Sequence, residues 1–379
     1  MSDPLKEKKE FFALNGLRFA AAFWVLIFHC SFHFGRLPSL ASVQPVINQG
    51  TLAMTLFFML SGFVLSYRYR AFATAEEARS YTAARLARLY PVYAVMGLAT
   101  LWMIPGGANS FALYTGYGYA GKIIFLAVLC LLFLFALQAW FPAFFPVNIW
   151  NFGGSWSLSV EAFFYALFPW LRNRLRELDV PKLAILLVAL VLTMAVITAG
   201  MLASQLRGQD ASSVFYVVPI FRLPEFVLGV VGFVLFAERA VGIKQLYVYG
   251  SILGVLLLVC MYRWNVPGWI DYGWLAAIPF LAAFVLSIKI DAAAPVKAFV
   301  NYCGRISYCV YMAQFTTIPV LKKVRSELSV PEAWILSIGS TLLLAIVTYH
   351  LIEVLAYRRT RQIALYMQEK IGSWIPRCA

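Results

Sequence analysis

Apolar residues run through the chain in eleven blocks, approximately 14–33, 50–67, 89–104, 123–141, 157–171, 183–203, 214–237, 247–263, 273–288, 305–322 and 333–355. Most are long enough to cross a hydrocarbon core of about 30 Å as an α-helix. The pattern predicts an all-α, polytopic membrane helical bundle. Composition changes nothing in that picture and removes its rivals. Of 379 residues, 62% are apolar and 13% charged, against roughly 45–50% and 25% in soluble domains. So few charges cannot coat a water-facing surface, which excludes an ordinary soluble enzyme and a disordered chain. The reading is a single membrane domain over 1–379 with a core of about 11–359, no soluble accessory domain, no internal repeat and no cleavable leader.

Charge then sets orientation. Lys and Arg number 31 against 17 Asp and Glu, a balance of +14. In a polytopic protein such an excess collects in cytoplasmic loops. No basic run interleaves with polar helices as a nucleic-acid binder would need. Lys6, Lys8 and Lys9 mark one cytoplasmic segment. Arg68, Arg70, Arg79, Arg85 and Arg88 mark a second, Arg172, Arg174, Arg176 and Lys182 a third, and Arg358, Arg359 and Arg361 a fourth. Eleven crossings would put 172–182 outside, so one block between Arg88 and Arg172 should not cross. Block 123–141 is the choice, because FPAFFPVNIWNFGG after it holds no Lys or Arg. It reads as an embedded segment on the outer side, tolerable where protein covers its backbone. The expectation is about ten transmembrane helices plus one embedded non-crossing segment, in the cytoplasmic (inner) membrane, with both termini cytoplasmic. Lys322, Lys323 and Arg325 would then face outward, against the rule.

Ionisable groups at membrane depth cost about 2.5–3.5 kcal/mol each on insertion scales, so they face cavities or pair. Arg18 lies near the inner end of the first block. His29 lies eleven residues on, about 16 Å further at 1.5 Å per residue, in the outer half of the bilayer. A neutral imidazole there either takes a proton from a hydroxyl or is hydrogen-bonded within the bundle. His33 follows one turn later, without a third ligand, so no metal is expected. Ser61-Gly62 reads as a small pair that lets helices approach. Glu161 follows Trp156 and Ser157 on a helix entering from outside, at an expected depth like that of His29. It orients the imidazole, acts as base itself, or caps the helix start at the water interface. Arg222 and Glu225 at i,i+3 are a private ion pair or line a cavity. The six cysteines have neither zinc nor disulfide spacing.

At these residues the chain resembles the acyltransferase family 3 membrane proteins. LNGLRFAAAFWVLIFH is similar to that family's first-helix motif ending in its essential His, and LFFMLSGFVLS to its second-helix motif. RLARLYPVY and SWSLSVEAFFYALFPWL resemble its R-x-x-R-x-YP and W-S-L-x-x-E-x-x-FY motifs, and RLPEFVLG and RISYCVYMAQ resemble looser later segments. The order is the family's, and nearly the whole chain is covered. Two positions depart: Gln314 stands where relatives often have His, and Glu353 is followed by Val354 and Leu355 rather than reaching a proline.

The resemblance implies a membrane O-acyltransferase with acyl-CoA (acetyl-CoA by default) as cytoplasmic co-substrate and no resident cofactor. The acceptor would be a carbohydrate or glycosylated molecule, such as a surface or exopolysaccharide, met at the outer face among membrane lipids. It points to His29 as the catalytic His, Glu161 as the motif acid, and Arg18, Arg85 and Arg88 as functional arginines. With Arg68 these arginines would hold the CoA phosphates. Trp156, Ser157, Arg222, Glu225 and Tyr308 would contact substrate. The rival is a transporter or flippase of a glycolipid or polysaccharide precursor, which would use the same ionisable residues without making bonds.

Overall fold

The computed structural model describes residues 11–109, 112–142, 154–207, 212–263 and 273–374, and among them every element is helical. The long helices are α1 (Phe12–Phe34), α2 (Gly50–Arg68), α3 (Ala75–Ala99), α4 (Tyr119–Leu134), α5 (Trp156–Glu177), α6 (Val180–Leu206), α7 (Pro219–Gly232), α8 (Ile243–Arg263), α9 (Gly273–Lys289), α10 (Ala294–Lys323), α11 (Val330–Thr348) and α12 (Val354–Trp374). Six helical stretches are long and apolar enough to cross a membrane: Phe12–Phe34, Gly50–Arg68, Val180–Leu206, Val214–Glu238, Ile243–Arg263 and Val330–Gln368. Helices α4 and α9 are apolar but shorter. Helices α3, α5 and α10 have the length of spans and carry more charge. The charged three line the cavity described below.

Local sequence explains most helix starts. Thr74 caps α3 by accepting from the Glu77 N–H, while the Glu77 carboxylate accepts from the Ala73 N–H. Ser329 and Glu332 form a reciprocal capping box at α11, with Pro331 in the first turn. Asp179 caps α6, and the Lys182 N–H and ammonium hold its carboxyl below the usual carboxylate range. Each arrangement satisfies N–H groups that the helix itself leaves unpaired. They explain where blocks 89–104 and 333–355 were drawn too short. Helix α3 begins at Ala75 because a polar, capped front end precedes its apolar half. The last block continues through a π turn, Tyr349–Glu353, into α12 without a break.

Outward faces are apolar where lipid would lie. Ile185, Val188, Leu192 and Val196 of α6 are exposed, as are Ile252 and Val255 of α8. Inside, α2 is the central helix, buried over most of its length. It crosses α7 backbone to backbone. At Gly62 an added Cβ would run into the Phe226 carbonyl, and at Gly229 into that of Met59. The small pair expected at Ser61-Gly62 thus has a glycine partner on the facing helix, as close crossings require.

The chain after α4 turns back into the bundle. Tyr93 of α3 donates to the Phe133 carbonyl at 2.6 Å and stacks on its ring at 4.1 Å, and Tyr90 donates to the Leu134 carbonyl at 3.1 Å. Ala136 takes a left-handed φ of 52° to reverse the chain. Gln138, buried, then donates to the Ser155 carbonyl at 2.7 Å. So α4 ends beside the middle of α3, and α5 starts at the same level with Ser155 and Trp156 buried. Residues 143–153, part of the segment expected not to cross, lie outside the described residues.

Gly229→Leu should force α2 and α7 apart. Overpacking of this kind costs about 1–3 kcal/mol. A lower melting midpoint in detergent, followed by fluorescence-detected size exclusion, is the expected result, and an unchanged midpoint would show the crossing to be loose.

Candidate active site

A cavity of about 1090 Å³ enters the bundle between α1, α2, α3, α5, α10 and α12. Eight arginines line it against three glutamates: Arg18, Arg68, Arg70, Arg85, Arg88, Arg305, Arg358 and Arg361 with Glu77, Glu161 and Glu353. Arg70, Arg305 and Arg358 at the mouth are exposed, whereas Arg18, Arg85 and Arg88 are half-buried. Deeper still the lining turns to Met54, Phe57, Phe58, Ser157, Leu158 and Tyr311. The lining thus changes from exposed cationic side chains to mostly apolar ones.

The arginines are held, not scattered. The Arg85 guanidinium lies 5.9 Å from the ring centres of both Tyr69 and Tyr81, within cation–π range. Arg88 Nε stands 3.8 Å from Glu353 Oε1, and the Cys309 thiol donates to the other oxygen of Glu353 at 3.3 Å. Arg361 donates to Ser80 Oγ at 3.2 Å, which pins α12 along α3. The loop carrying Arg70 is strapped from α5. Arg172 donates to the Tyr69 carbonyl and pairs with Glu238 at 2.8 Å, and Asn173 exchanges two hydrogen bonds with the Phe72 backbone.

Glu161 sits among these cations. Its electrostatic neighbours are Arg18, Arg88 and Arg85, and Tyr165 donates to it at 3.2 Å. This corrects the expected depth. Glu161 is level with Arg18 at the inner end of α1 and makes no hydrogen bond or ion pair with His29. The physical reason is the low start of α5: the helix begins inside the bundle, so counting inward from Trp156 as an outer boundary places Glu161 too high. His29 stands beyond the cavity's end. Its ring meets Phe315 edge-on at 5.3 Å and stacks on His33 at 5.8 Å.

Other expected site residues divide in the same way. Arg68, Ser157 and Tyr308 line the cavity, Tyr308 through a hydroxyl donated to the Leu89 carbonyl at 2.9 Å. Trp156, Arg222 and Glu225 do not. Trp156 packs edge-on against Phe58 and tilted against Tyr216. Arg222 and Glu225 form a buried ion pair at 2.8 Å, with Thr55 donating to Glu225 at 2.7 Å and Tyr216 under the guanidinium at 4.9 Å. The pair is formed, and it also borders a second, water-sized pocket with Met194, Thr198 and Trp274, apart from the large cavity. Arg305, Glu353, Arg358 and Arg361 also line the cavity and have no site role in the sequence reading, where Glu353 is only a motif position and Arg358 and Arg361 only mark topology. A carboxylate in the last apolar block was a usable signal for Glu353. Arg358 and Arg361 had been absorbed into loop topology, although they lie one helical turn apart on a helix that packs along the arginine-bearing α3.

A polytopic helical membrane protein with an arginine-rich inner cavity ending near a histidine is a class already narrow. The family model described as an acyltransferase domain matches residues 11–350, and the chain belongs to that acyltransferase family, as its motifs had suggested. Among curated proteins it is similar to an acyltransferase, MdmB, of Streptomyces mycarofaciens, 30% identical over 233 residues, covering 58% of this chain and 56% of that protein. It also resembles protein 2 in the picA locus of Rhizobium radiobacter, 36% identical over 95 residues, 24% of this chain and 44% of that one. The chain thus spans about half the length of the curated relatives it matches. No solved structure matches.

Glu225→Gln should leave the buried Arg222 without its counter-charge, a loss of about 3–5 kcal/mol where a buried pair is broken. The double replacement Arg222→Met with Glu225→Leu should regain most of the melting midpoint. If the single variant melts like the wild type, the pair is not desolvated as its burial indicates.

Proposed function

We propose that the chain is a cytoplasmic-membrane O-acyltransferase. It takes an acyl group, acetyl first among candidates, from cytoplasmic acyl-CoA and passes it to a hydroxyl of a sugar or glycosylated acceptor at the outer face. In this reading the polypeptide makes ten crossings with both termini inside, and the α4 region with the segment after it enters from outside and returns. The single observation that carries the proposal is the cavity, whose lining joins eight arginines to an apolar group that includes Met54, Phe57, Phe58 and Leu158. Phosphate groups match planar arginine donors, and a pantetheine arm with a short acyl group suits the apolar part. Family membership supports the chemistry.

The step itself is an acyl exchange. The acceptor hydroxyl gives its proton to neutral His29 as its oxygen attacks the thioester carbonyl carbon. The C–S bond breaks, and the CoA sulfur leaves as thiolate to be protonated. Glu161 has its role on the donor side, where it fixes Arg18, Arg85 and Arg88 around the CoA moiety of the bound donor. This replaces the direct support of His29 that equal depth would have given. A transporter would release no thiol, so release of CoA from acetyl-CoA by purified protein with a sugar acceptor separates the two classes.

His29→Ala should lower turnover by about 10²–10⁴, the usual worth of a general base, with folding intact by size exclusion. Wild-type turnover would remove His29 from the chemistry. Arg85→Ala and Arg88→Ala should raise the KM for acetyl-CoA at least severalfold and leave the acceptor KM near its wild-type value. An unchanged donor KM in both variants would reduce the arginines to topological signals.

A further inference from the structure

Between the cavity's inner end and His29 stands a two-ring wall. Tyr311 lines the cavity, while Phe315, one turn further along α10, does not. Their ring centres are 5.2 Å apart. Phe57 of α2 meets Tyr311 from the cavity side at 6.0 Å, and His29 meets Phe315 from the other side at 5.3 Å. Along this line the order is cavity, Tyr311, Phe315, histidine.

The wall is anchored from α5. Ser157 donates to the Tyr311 hydroxyl at 2.8 Å, and that hydroxyl donates to the Gly154 carbonyl at 3.3 Å. The Phe315 ring lies flush against the Gly154 backbone, where a Cβ would collide with it. Tyr311 and Phe315 are both buried. Among the described residues, the Phe315 ring is held by the Tyr311 and His29 rings and the bare Gly154 backbone. A ring seated on a glycine can be displaced by a small group that presses on it, whereas a longer chain needs the volume the ring fills.

We propose that Phe315 is the specificity-determining residue for the acyl chain, its ring setting how long a group can pass from the arginine-lined cavity toward His29. The inference rests on acyl-CoA being the donor. An acetyl thioester needs the Phe315 ring to give way only far enough for its carbonyl to reach a hydroxyl held at His29. Each further methylene meets the wall, and one extra methylene in an apolar pocket is worth about 10–200-fold in selection.

The test needs no acceptor. Purified full-length protein in detergent is titrated with CoA, acetyl-CoA, butyryl-CoA, hexanoyl-CoA and octanoyl-CoA, and binding is read from the melting midpoint. Wild-type protein should bind acetyl-CoA best and octanoyl-CoA weakly. Phe315→Ala should improve the ratio of octanoyl-CoA to acetyl-CoA affinity at least tenfold, and Phe315→Leu, which keeps more of the core, should fall between. Phe164→Ala, a buried ring next to Phe58 but off the cavity, should keep the wild-type order. If the Phe315 variants keep the wild-type order, or Phe164→Ala shifts it equally, the wall does not select the chain. Failure of every CoA ester to raise the wild-type midpoint would overturn the donor assignment itself, a result distinguishable from either of these.

Discussion

Like charges at membrane depth repel one another, and here that repulsion is the constraint to which the other features answer. Eight arginines around one cavity need water, carboxylates and aromatic faces to remain ionised together. Each of those has a place. Glu161 and Glu353 sit among the deepest guanidinium groups, tyrosine rings flank Arg85, and the mouth is wide enough for water. The same constraint dictates which helices give up an apolar character. Helices α3, α5 and α10 carry the polar groups, while the apolar α6 packs on α7 and α9, and α8 on α9.

Rigidity on one side of the cavity is a condition for selectivity on the other. The glycine crossing of α2 and α7 leaves no slack at Met59 and Phe226, so Phe57 and Phe58 are held close to that crossing. The Arg222–Glu225 pair locks the first turns of α7 against Thr55 of α2. Against this fixed side the α5 start and α10 face each other across Gly154, where the contact is made by a ring and a bare backbone. A donor arriving from the mouth would find the first side unyielding and the second displaceable.

How much of this was legible depends on whether a residue's role is local. The helical class and the apolar blocks could be read from the chain because hydropathy is a local property, and the family motifs brought forward Arg18, Arg85 and Arg88, which the fold gathers around one cavity. The helix caps also lay in plain view at Thr74, Asp179 and Ser329. Depth was not local. Glu161 was placed too high because nothing in SWSLSVE says that its helix starts below the membrane surface, a fact that depends on Gln138 reaching Ser155. Arg222 and Glu225 were left undecided because i,i+3 spacing fits a private pair and a cavity wall equally well. Arg358 and Arg361 were hidden by their own usefulness as topology markers.

The π turn at Tyr349–Glu353 has a geometric effect on the whole last rod of the molecule. A π turn amounts to one residue beyond the α-helical count, and each α-helical residue advances the helix by about 100°. The wider turn spreads that extra residue over about the same rotation as one α turn, so it absorbs the residue and keeps everything that follows in phase. In this phase Glu353 faces Arg88 and Cys309, and Arg358 and Arg361 further on line the cavity. Deleting a single residue from 349–353 would restore a regular helix with both arginines still aimed at the cavity, whereas deleting one from the α-helical stretch 354–357 would swing them by about 100°. The cationic mouth thus tolerates a change of length at one short segment upstream and at no other point between that segment and its charges.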